Sequence, residues 1–249
     1  MKLICFLVLL LPFSAKALEL PHNLSKYERQ YVVKNLGVAS STKVLANPYP
    51  LGGYLGLEVG LSYTYIKTEE LSRLGSKNST EPQLGIADVS IGKGLYDNVD
   101  VFFNFSPTNF VSKTSSFGGM VKWGFYQAKF IPLNFSLLVH ANTFHLGNQY
   151  VNETVGLEVL AGLNVDNIAL YVGGGQLHGE GLFVGGSGTD SVLDPTADDI
   201  DASTQTSKEI VGINHIYLGL SINVSELFFA VQIDRYDEPI LSGKVGIRL

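Results

Sequence analysis

The sequence predicts an all-β fold, an antiparallel β-barrel of about ten strands that follows a short N-terminal helix or lead-in. Three observations support this prediction. Apolar and polar residues alternate in about ten stretches from residue 53 onward, the gaps between the stretches are long and short in turn, and a secretory signal begins the chain. Eight or twelve strands are the alternatives. The formal charge of −6 argues against nucleic acid as a partner.

Residues 1–17 have the composition of a signal peptide. A positive residue is followed by an apolar stretch over residues 3–13, and Ala15-Lys16-Ala17 matches an A-x-A cleavage site. Cleavage there would make Leu18 the first residue of the mature chain and would remove Cys5, the single cysteine. We therefore expect a mature protein without a disulfide, a thiol nucleophile or a thiolate metal site.

Residues 18–52 differ from the rest of the chain and precede a barrel predicted over residues 53–249. SKYERQYVVKNLG predicts one short helix, with Ser25 as its N-cap, Glu28 completing a capping box and Gly37 as its C-cap. The prolines and glycines of NPYPLGG then end regular structure. We expect this region to be a periplasmic lead-in or a partial plug, and a frayed, disordered N-terminus is the alternative.

The first predicted strand lies within GYLGLEVGLSYTYI, residues 53–66. Leu57, Val59 and Leu61 occupy one face, whereas Glu58 and the small residues beside it occupy the other. An apolar-out, polar-in alternation over about ten residues is typical of strands that cross a membrane as a barrel. Further strands are predicted at about 83–95, 99–105, 116–126, 134–145, 153–164, 168–176, 209–223, 227–236 and 240–249.

The connections between these strands alternate in length. The gaps after the odd-numbered strands are mostly long and polar, at residues 67–82, 106–115, 147–152, 177–208 and 237–239, and the other gaps are short. Barrels of the bacterial outer membrane have long extracellular loops and short periplasmic turns. We therefore expect the outer membrane as the location, with extracellular loops and both termini in the periplasm.

The chain resembles the Gram-negative outer-membrane β-barrels, most specifically in its last strand. SGKVGIRL has alternating hydrophobic residues up to the terminus, and Gly246, Ile247 and Leu249 match the C-terminal signal that the barrel-assembly machinery reads in that class. The usual final aromatic residue is replaced by Leu249. The resemblance implies the assembly machinery, outer-membrane lipid and lipopolysaccharide as partners.

Charged residues of both signs fall on the inward face of the predicted strands, and we expect them in the lumen: Glu58, Asp88, Lys122, Glu158, Asp234, Lys244 and Arg248. Unpaired charges in a narrow barrel are costly, so these side chains should pair, and Glu58 should meet Lys244 across the closing seam. One hypothesis is a structural ladder that blocks the lumen. The other is a polar lining for a narrow channel that carries small polar solutes.

Aromatic residues collect near the strand ends, as the two interfaces of a membrane require. We expect Tyr96, Phe125, Phe135 and Phe229 near the periplasmic interface and Tyr65, Phe105, Phe117 and Tyr236 near the outer one. The alternative is a soluble periplasmic binder of the lipocalin kind, in which the apolar faces of the strands would point inward and the polar faces outward.

Catalysis by the barrel is a further alternative that we consider and do not favour. Ser116 could oppose His145 across a hairpin as the hydroxyl and base of a lipid hydrolase. His215 is the only candidate for a protease-like site on its strand, and His140 should be a hydrogen-bonded lumen residue. We predict a non-enzymatic barrel, without catalytic residues or a cofactor, that serves as a narrow channel or as a structural or surface-interaction protein.

The longest predicted loop, 177–208, is acidic. Its aspartates are Asp190, Asp194, Asp198, Asp199 and Asp201. Closely spaced carboxylates bind calcium in some loops, but the EF-hand spacing is absent here, and a solvated acidic loop is the usual case. We therefore predict no metal site.

Overall fold

A computed structural model describes residues 18–76, 83–106, 114–185, 191–194, 199–201 and 205–249, and the predicted signal peptide lies outside these ranges. Ten antiparallel strands form one closed barrel in which each strand pairs with its neighbours in the chain and the first pairs with the last. The ten-stranded prediction is confirmed. The strands are β1 (Leu57–Lys67), β2 (Gln83–Tyr96), β3 (Val99–Phe105), β4 (Thr114–Gln127), β5 (Leu133–Leu146), β6 (Tyr150–Val165), β7 (Ile168–Val184), β8 (Thr206–Val224), β9 (Leu227–Arg235) and β10 (Pro239–Arg248).

The seam between β1 and β10 is complete to the end of the chain. Leu61 pairs with Val245 and Tyr65 with Leu241. Beyond the last strand residue, the backbone N–H of Leu249 donates to the Leu57 carbonyl at 2.8 Å, and the Leu57 N–H donates back at 2.9 Å. The C-terminal residue therefore takes part in closing the barrel.

The outward face of the barrel is apolar. On β8, Ile216 and Leu218 are 59% and 52% exposed, whereas Tyr217 between them is 3% exposed. The same alternation puts apolar side chains on the outside of the other strands, among them Val59, Ile91, Phe103, Val121, Val139, Leu157, Val172, Val231 and Ile247. This exterior contradicts the soluble-binder alternative, which needs a polar outer surface.

Strand β7 runs to Val184, well beyond the predicted end at residue 176. Past Val172 its outward residues turn polar, with Gln176, His178 and Glu180, so the apolar alternation that identifies a membrane strand stops while the backbone pairing continues. The connection that follows is therefore 185–205 rather than 177–208. Strand β6 likewise begins at Tyr150, which shortens the preceding connection to residues 147–149.

The N-terminal segment, residues 18–52, begins with helix α1 (Lys26–Val32). The Glu28 carboxylate accepts the backbone N–H of Ser25 at 2.8 Å, in agreement with the predicted capping box. The helix continues as a π-helical turn over Val33–Gly37 and a 3₁₀ turn over Val38–Ser40, so the prediction of Gly37 as C-cap is wrong. No helix in the described ranges is both long and apolar enough to cross a bilayer.

The N-terminal segment runs through the lumen from one end of the barrel to the other. We call the end that carries the connections 68–82, 106–113 and 185–205 the loop end, and the opposite end the turn end. At the loop end, the Leu24 N–H donates to Val192 and the Ser76 N–H donates to His22. At the turn end, a short 3₁₀ turn, Gly53–Leu55, leads directly into β1.

The start of the N-terminal segment and Leu249 consequently lie at opposite ends of the barrel. The side of the membrane that each end faces stays a prediction. An even strand count requires that β1 begin and β10 end at the same end of the barrel, and Leu57 does pair with Leu249. The strand count does not determine the position of the residues that precede β1. Those residues lie inside the barrel and extend to the loop end.

Candidate functional site

The lumen is filled by the N-terminal segment and by a series of charged clusters on the inner wall. At the turn end, Glu58 is fully buried and receives Lys244 Nζ at 2.6 Å on one carboxylate oxygen and an Arg248 guanidinium nitrogen at 2.6 Å on the other. Both cations also lie 5.4 Å from the ring centre of Phe228. The structure thus brings together three of the predicted lumen charges across the β1–β10 seam.

The next cluster joins the wall to the backbone of the N-terminal segment. Lys122 and Asp100 are both fully buried and form an ion pair at 3.1 Å. Lys122 Nζ also donates to the carbonyls of Asn47 and Tyr49, at 3.1 and 2.9 Å. The Leu51 N–H donates to the Asp100 carboxylate at 3.0 Å. Each wall charge is therefore satisfied jointly by its partner strand and by the segment.

Asp100 was missed at the sequence level, although the signal was present. It has the inward parity of its short strand and lies directly opposite Lys122 in the β3–β4 register. The long connection between these strands does not fix their register, but Asp100 is the acidic residue of 99–105 and faces inward, so a search of that strand for a partner of Lys122 would have found it.

A chain of hydrogen-bonded titratable side chains crosses the middle of the wall. His140 Nε2 lies 3.1 Å from Glu158, the same Glu158 oxygen lies 2.9 Å from His215 Nδ1, and His215 Nε2 lies 2.9 Å from Asp234. Gln232 donates to the same Asp234 oxygen at 2.7 Å. His140 is a hydrogen-bonded lumen residue, as expected. The four strands β5, β6, β8 and β9 are linked by this chain.

Tyr236 belongs to the lumen and not to the outer aromatic girdle, so that prediction is wrong. It shares the inward parity of Asp234, is 6% exposed and stacks on the His215 ring with 4.3 Å between centroids. Its hydroxyl contacts Lys43 Nζ and lies 3.2 Å from Ser41 Oγ. Lys43 donates in addition to the Ala39 carbonyl at 2.9 Å. This contact fastens the middle of the N-terminal segment to β8 and β9.

At the loop end a buried arginine of helix α1 joins the segment to the wall. Arg29 is fully buried, donates twice to Glu209 at 2.9 and 3.1 Å, and pairs with Asp199 of the acidic connection. A third nitrogen donates to the Leu24 carbonyl at 2.9 Å. Sequence analysis missed Arg29 and Glu209, because a helical arginine ordinarily lies in solvent.

The acidic connection is only partly described, since Asp190 and Asp198 lie outside the described residues. Within the described ranges no group of three or more histidine, cysteine or acidic side chains could hold a metal ion. Asp199 is instead used as the partner of Arg29.

Glycines on the inner wall make room for the N-terminal segment. A Cβ at Gly118 would lie 2.5 Å from Thr42 Oγ1, and one at Gly179 would lie 2.8 Å from a methyl group of Val38. A Cβ at Gly162 would collide with Pro48. The wall thus lacks side chains where the segment approaches it most closely, so both surfaces fit each other.

One side of the segment is less tightly packed. A small polar cavity of about 20 Å³ lies between residues 40–45 and the wall formed by β1 to β5 and β10. Asp88 lines it and accepts a hydrogen bond from Ser116 at 2.6 Å. The hydroxyls of Thr42 and Ser90 also face this region and have no hydrogen-bond partner among the described residues. Polar groups of this kind are ordinarily satisfied by water.

The proposed hydrolase pair does not form. Ser116 lies on the inner face opposite Phe144, whereas His145 lies on the outer face opposite Ser115. The error arose from a shift of one residue in the register, which moves a side chain to the other face of the sheet.

The three residues of the predicted assembly signal lie at the turn end of β10. Ile247 and Leu249 are 39% and 65% exposed on the outward face, and Gly246 lies inward beneath the Phe228 ring. Ile247 and Leu249 thus keep the alternating outward positions on which the resemblance to outer-membrane barrels rests. Their role in assembly stays a prediction.

No family model and no curated protein matches this chain. The solved structures similar to it include Gram-negative outer-membrane β-barrels. The N-terminal β-barrel domain of OprF from Pseudomonas aeruginosa has 12% identity and a TM-score of 0.35, over 80% of this chain and 99% of that one. Ail of Yersinia pestis has 11% identity and a TM-score of 0.31, over 78% and 98%. Outer membrane phospholipase A from Escherichia coli has 10% identity and a TM-score of 0.31, over 89% and 98%. At these scores the likeness adds nothing to the barrel already visible in the strand pairing.

Proposed function

We propose that this protein is a non-enzymatic, integral outer-membrane β-barrel whose lumen is closed by its own N-terminal segment. The observation that carries the proposal is the path of residues 18–52, which occupy the lumen from the loop end to the turn end. The protein is then a structural or surface-interaction barrel, and not an open channel for small polar solutes.

The apolar exterior supports a location in lipid. In a bilayer every backbone N–H and C=O must be paired within the protein, and a closed barrel meets this requirement. Large apolar side chains such as Phe103, Leu157 and Leu218 are about half exposed, which is unfavourable in water and favourable against hydrocarbon. Outer-membrane lipid and lipopolysaccharide are the expected surroundings, and the assembly machinery is the expected partner during insertion.

The pairing of the lumen charges supports a structural role for them. Glu58 pairs with Lys244 and Arg248, Lys122 pairs with Asp100, and Glu158 and Asp234 each form a hydrogen bond with His215. Asp88 has a hydrogen bond from Ser116. A selective pore needs charges that face a continuous water path, whereas each of these charges has at least one wall side chain as a partner.

The orientation follows from loop length. Outer-membrane barrels have their long loops outside and their short turns in the periplasm. The loop end would then face the cell exterior, and Leu249 would lie on the periplasmic side.

The first experiment compares the gel mobility of the outer-membrane fraction with and without boiling. We expect a band that shifts on heating, because closed barrels stay folded in detergent until they are heated. Recovery in the soluble periplasm without a shift would overturn the membrane location. Planar-bilayer recordings of the purified barrel then test the closed lumen: we expect no steady conductance, and a stable open current would restore the channel hypothesis.

A further inference from the structure

We propose that the mature N-terminus is carried through the lumen to the cell surface, where residues 18–32 form the outer cap of the barrel with two of the long connections. The inference rests on the proposed outer-membrane location and goes beyond it. In this arrangement the start of the mature chain is extracellular while its end is periplasmic.

The first support is the order of contacts along the segment. Six contacts, spread from Leu24 to Leu51, follow one another from the loop end to the turn end. Near the loop end, Leu24 forms a β-bridge with Leu193, and Arg29 donates to Glu209 near the start of β8. Farther along, the Ser40 carbonyl accepts from Asn142 and the Leu45 N–H donates to Gln232. Near the turn end, the Pro48 carbonyl accepts from Asn134 and the Leu51 N–H donates to Asp100 near the start of β3. The segment therefore makes one pass and does not double back.

The second support is the set of contacts that fix the outer part of the segment. The Asn23 N–H donates to the Ser191 carbonyl at 3.0 Å, and Glu28 accepts the Gly75 N–H at 2.8 Å. Two long connections are thus tied to the segment by their backbones. Tyr27 of α1 is 83% exposed, so it would present its ring at the outer surface of the cap.

The third support is the way the segment is enclosed. It is continuous with β1 at the turn end, and the β1–β10 seam closes the wall beside it. Signal cleavage would release the N-terminus in the periplasm, so residues 18–32 must cross together with the long connections before the seam closes. The same enclosure implies that the segment is inserted during assembly and is not added to a finished barrel.

Cysteine accessibility on intact cells tests this topology. The mature chain is predicted to lack cysteine, so single substitutions give an unambiguous signal. The test variant is Glu19→Cys, which is exposed at the start of the segment. Glu69→Cys is the matched control at the loop end, and Asn167→Cys is the control in a turn at the turn end. A membrane-impermeant maleimide is applied before and after permeabilisation of the outer membrane, and the heat shift on gels verifies that each variant is folded.

We expect Glu19→Cys to be labelled on intact cells to the same extent as Glu69→Cys, and Asn167→Cys to lose its labelling unless the membrane is permeabilised. If Glu19→Cys, like Asn167→Cys, is labelled only after the outer membrane is permeabilised, the inference is overturned. Protection of all three variants in a heat-shifting barrel, or their recovery in the soluble periplasm, would instead contradict the proposed location. If the accessible end is the turn end, the surface location of the N-terminus is likewise overturned.

Discussion

The N-terminal segment is held differently in the two halves of the lumen. In the half near the loop end, its apolar side chains are buried in one cluster with the wall: Leu24, Val32, Val33, Leu36 and Val38 pack with Phe144, Tyr150 and Phe183. In the half near the turn end, polar wall side chains bind its backbone, as Lys122 binds the Asn47 and Tyr49 carbonyls. The loop half is held by the larger apolar cluster, and the turn half combines a smaller apolar cluster around Val44, Ala46 and Leu51 with hydrogen bonds from the wall to its backbone.

Because of this difference, we expect the two halves to respond differently to substitutions in the segment and in the wall. Apolar packing depends on the volume of each segment residue, so the loop half should respond to substitutions in the segment. Backbone hydrogen bonds survive a change of side chain, so in the turn half the loss of a half-buried segment side chain such as Tyr49 should matter less than the loss of a wall side chain such as Lys122. The predictions below test this contrast, from the largest expected effect to the smallest.

Deletion of residues 18–52 removes both kinds of contact and should have the largest effect. Phe144, Tyr150 and Phe183, which are all fully buried, would then line an empty lumen. We expect the heat-resistant band to be lost or to melt at a much lower temperature, and any folded barrel to conduct steadily in planar bilayers. Tyr27→Ala, at an exposed position of the same segment, is the control and should change neither property. An unchanged melting temperature without current would refute the plug.

Lys122→Ala should cost about 3–5 kcal/mol of unfolding free energy, because it leaves the buried Asp100 carboxylate without its cation. Lys208→Ala removes a surface ion pair with Glu180 and should cost at most about 1 kcal/mol. Urea unfolding in detergent micelles measures both. The double variant Lys122→Met/Asp100→Leu should recover much of the loss, and equal effects of the two lysine variants would contradict the binding of the backbone by the wall described for the turn half.

Leu36→Ala should cost about 2–5 kcal/mol, because the side chain is fully buried in the loop half. Tyr49→Ala is the contrasting variant in the turn half, where the half-buried side chain is lost but the carbonyl that binds Lys122 remains. We expect the smaller loss for Tyr49→Ala in the same urea titration. A larger loss at Tyr49 than at Leu36 would reverse the proposed division.

Lys244→Ala should cost about 1.5–3 kcal/mol, the usual range for a hydrogen bond to a charged group. The loss should be smaller than that of Lys122→Ala, since Arg248 still pairs with Glu58. A closed lumen predicts this loss of stability with no current. A change of ion preference in bilayer recordings would support a pore lining, and no change in either property would show that the Lys244–Glu58 pair is unimportant.

Glu28 should give the smallest effect, confined to acidic pH. Burial raises the pKa of its carboxyl, but hydrogen bonds from the Gly75 and Ser25 backbones and from the Ser25 hydroxyl outweigh it, and the net pKa is lowered. The stabilisation is therefore present above the unfolded pKa and is lost as the pH falls through the lower, folded value. Glu28→Gln should flatten the decline in melting temperature below about pH 4.5, as measured by heat shift across pH.

The barrel was predictable because its signal is local and repeated. Alternation of period two placed Glu58 and Lys244 inward on strands that are far apart in sequence, and the β1–β10 register then brings them together. Tyr236 could have been placed by the same rule, since it shares the parity of Asp234. The end of β7 was missed because strand pairing continues after the outward residues become polar.

The lumen was less predictable, because its contacts depend on a path that no local pattern encodes. Arg29 and Lys43 look like ordinary surface cations in sequence, and their burial follows only from the passage of the segment through the barrel. Gly162 and Gly179 likewise appear as strand glycines, and their purpose becomes visible only with Pro48 and Val38 beside them. Strand parity identifies which residues face inward, but it does not identify the segment residues that they contact.

The continuity of the segment with β1 gives the molecule two unlike responses to mechanical force. A pull on the C-terminus would open the β1–β10 seam one pair at a time, starting from the Leu57–Leu249 contact. A pull on the N-terminus, directed along the barrel axis, would load the backbone bonds of Asn23 and Leu24 first, then the Arg29 ion pairs, and the backbone bonds at Asn47 and Tyr49 last. A pull on the N-terminus would therefore draw the segment out through the closed barrel. The force needed to unfold the protein would depend on which terminus is pulled.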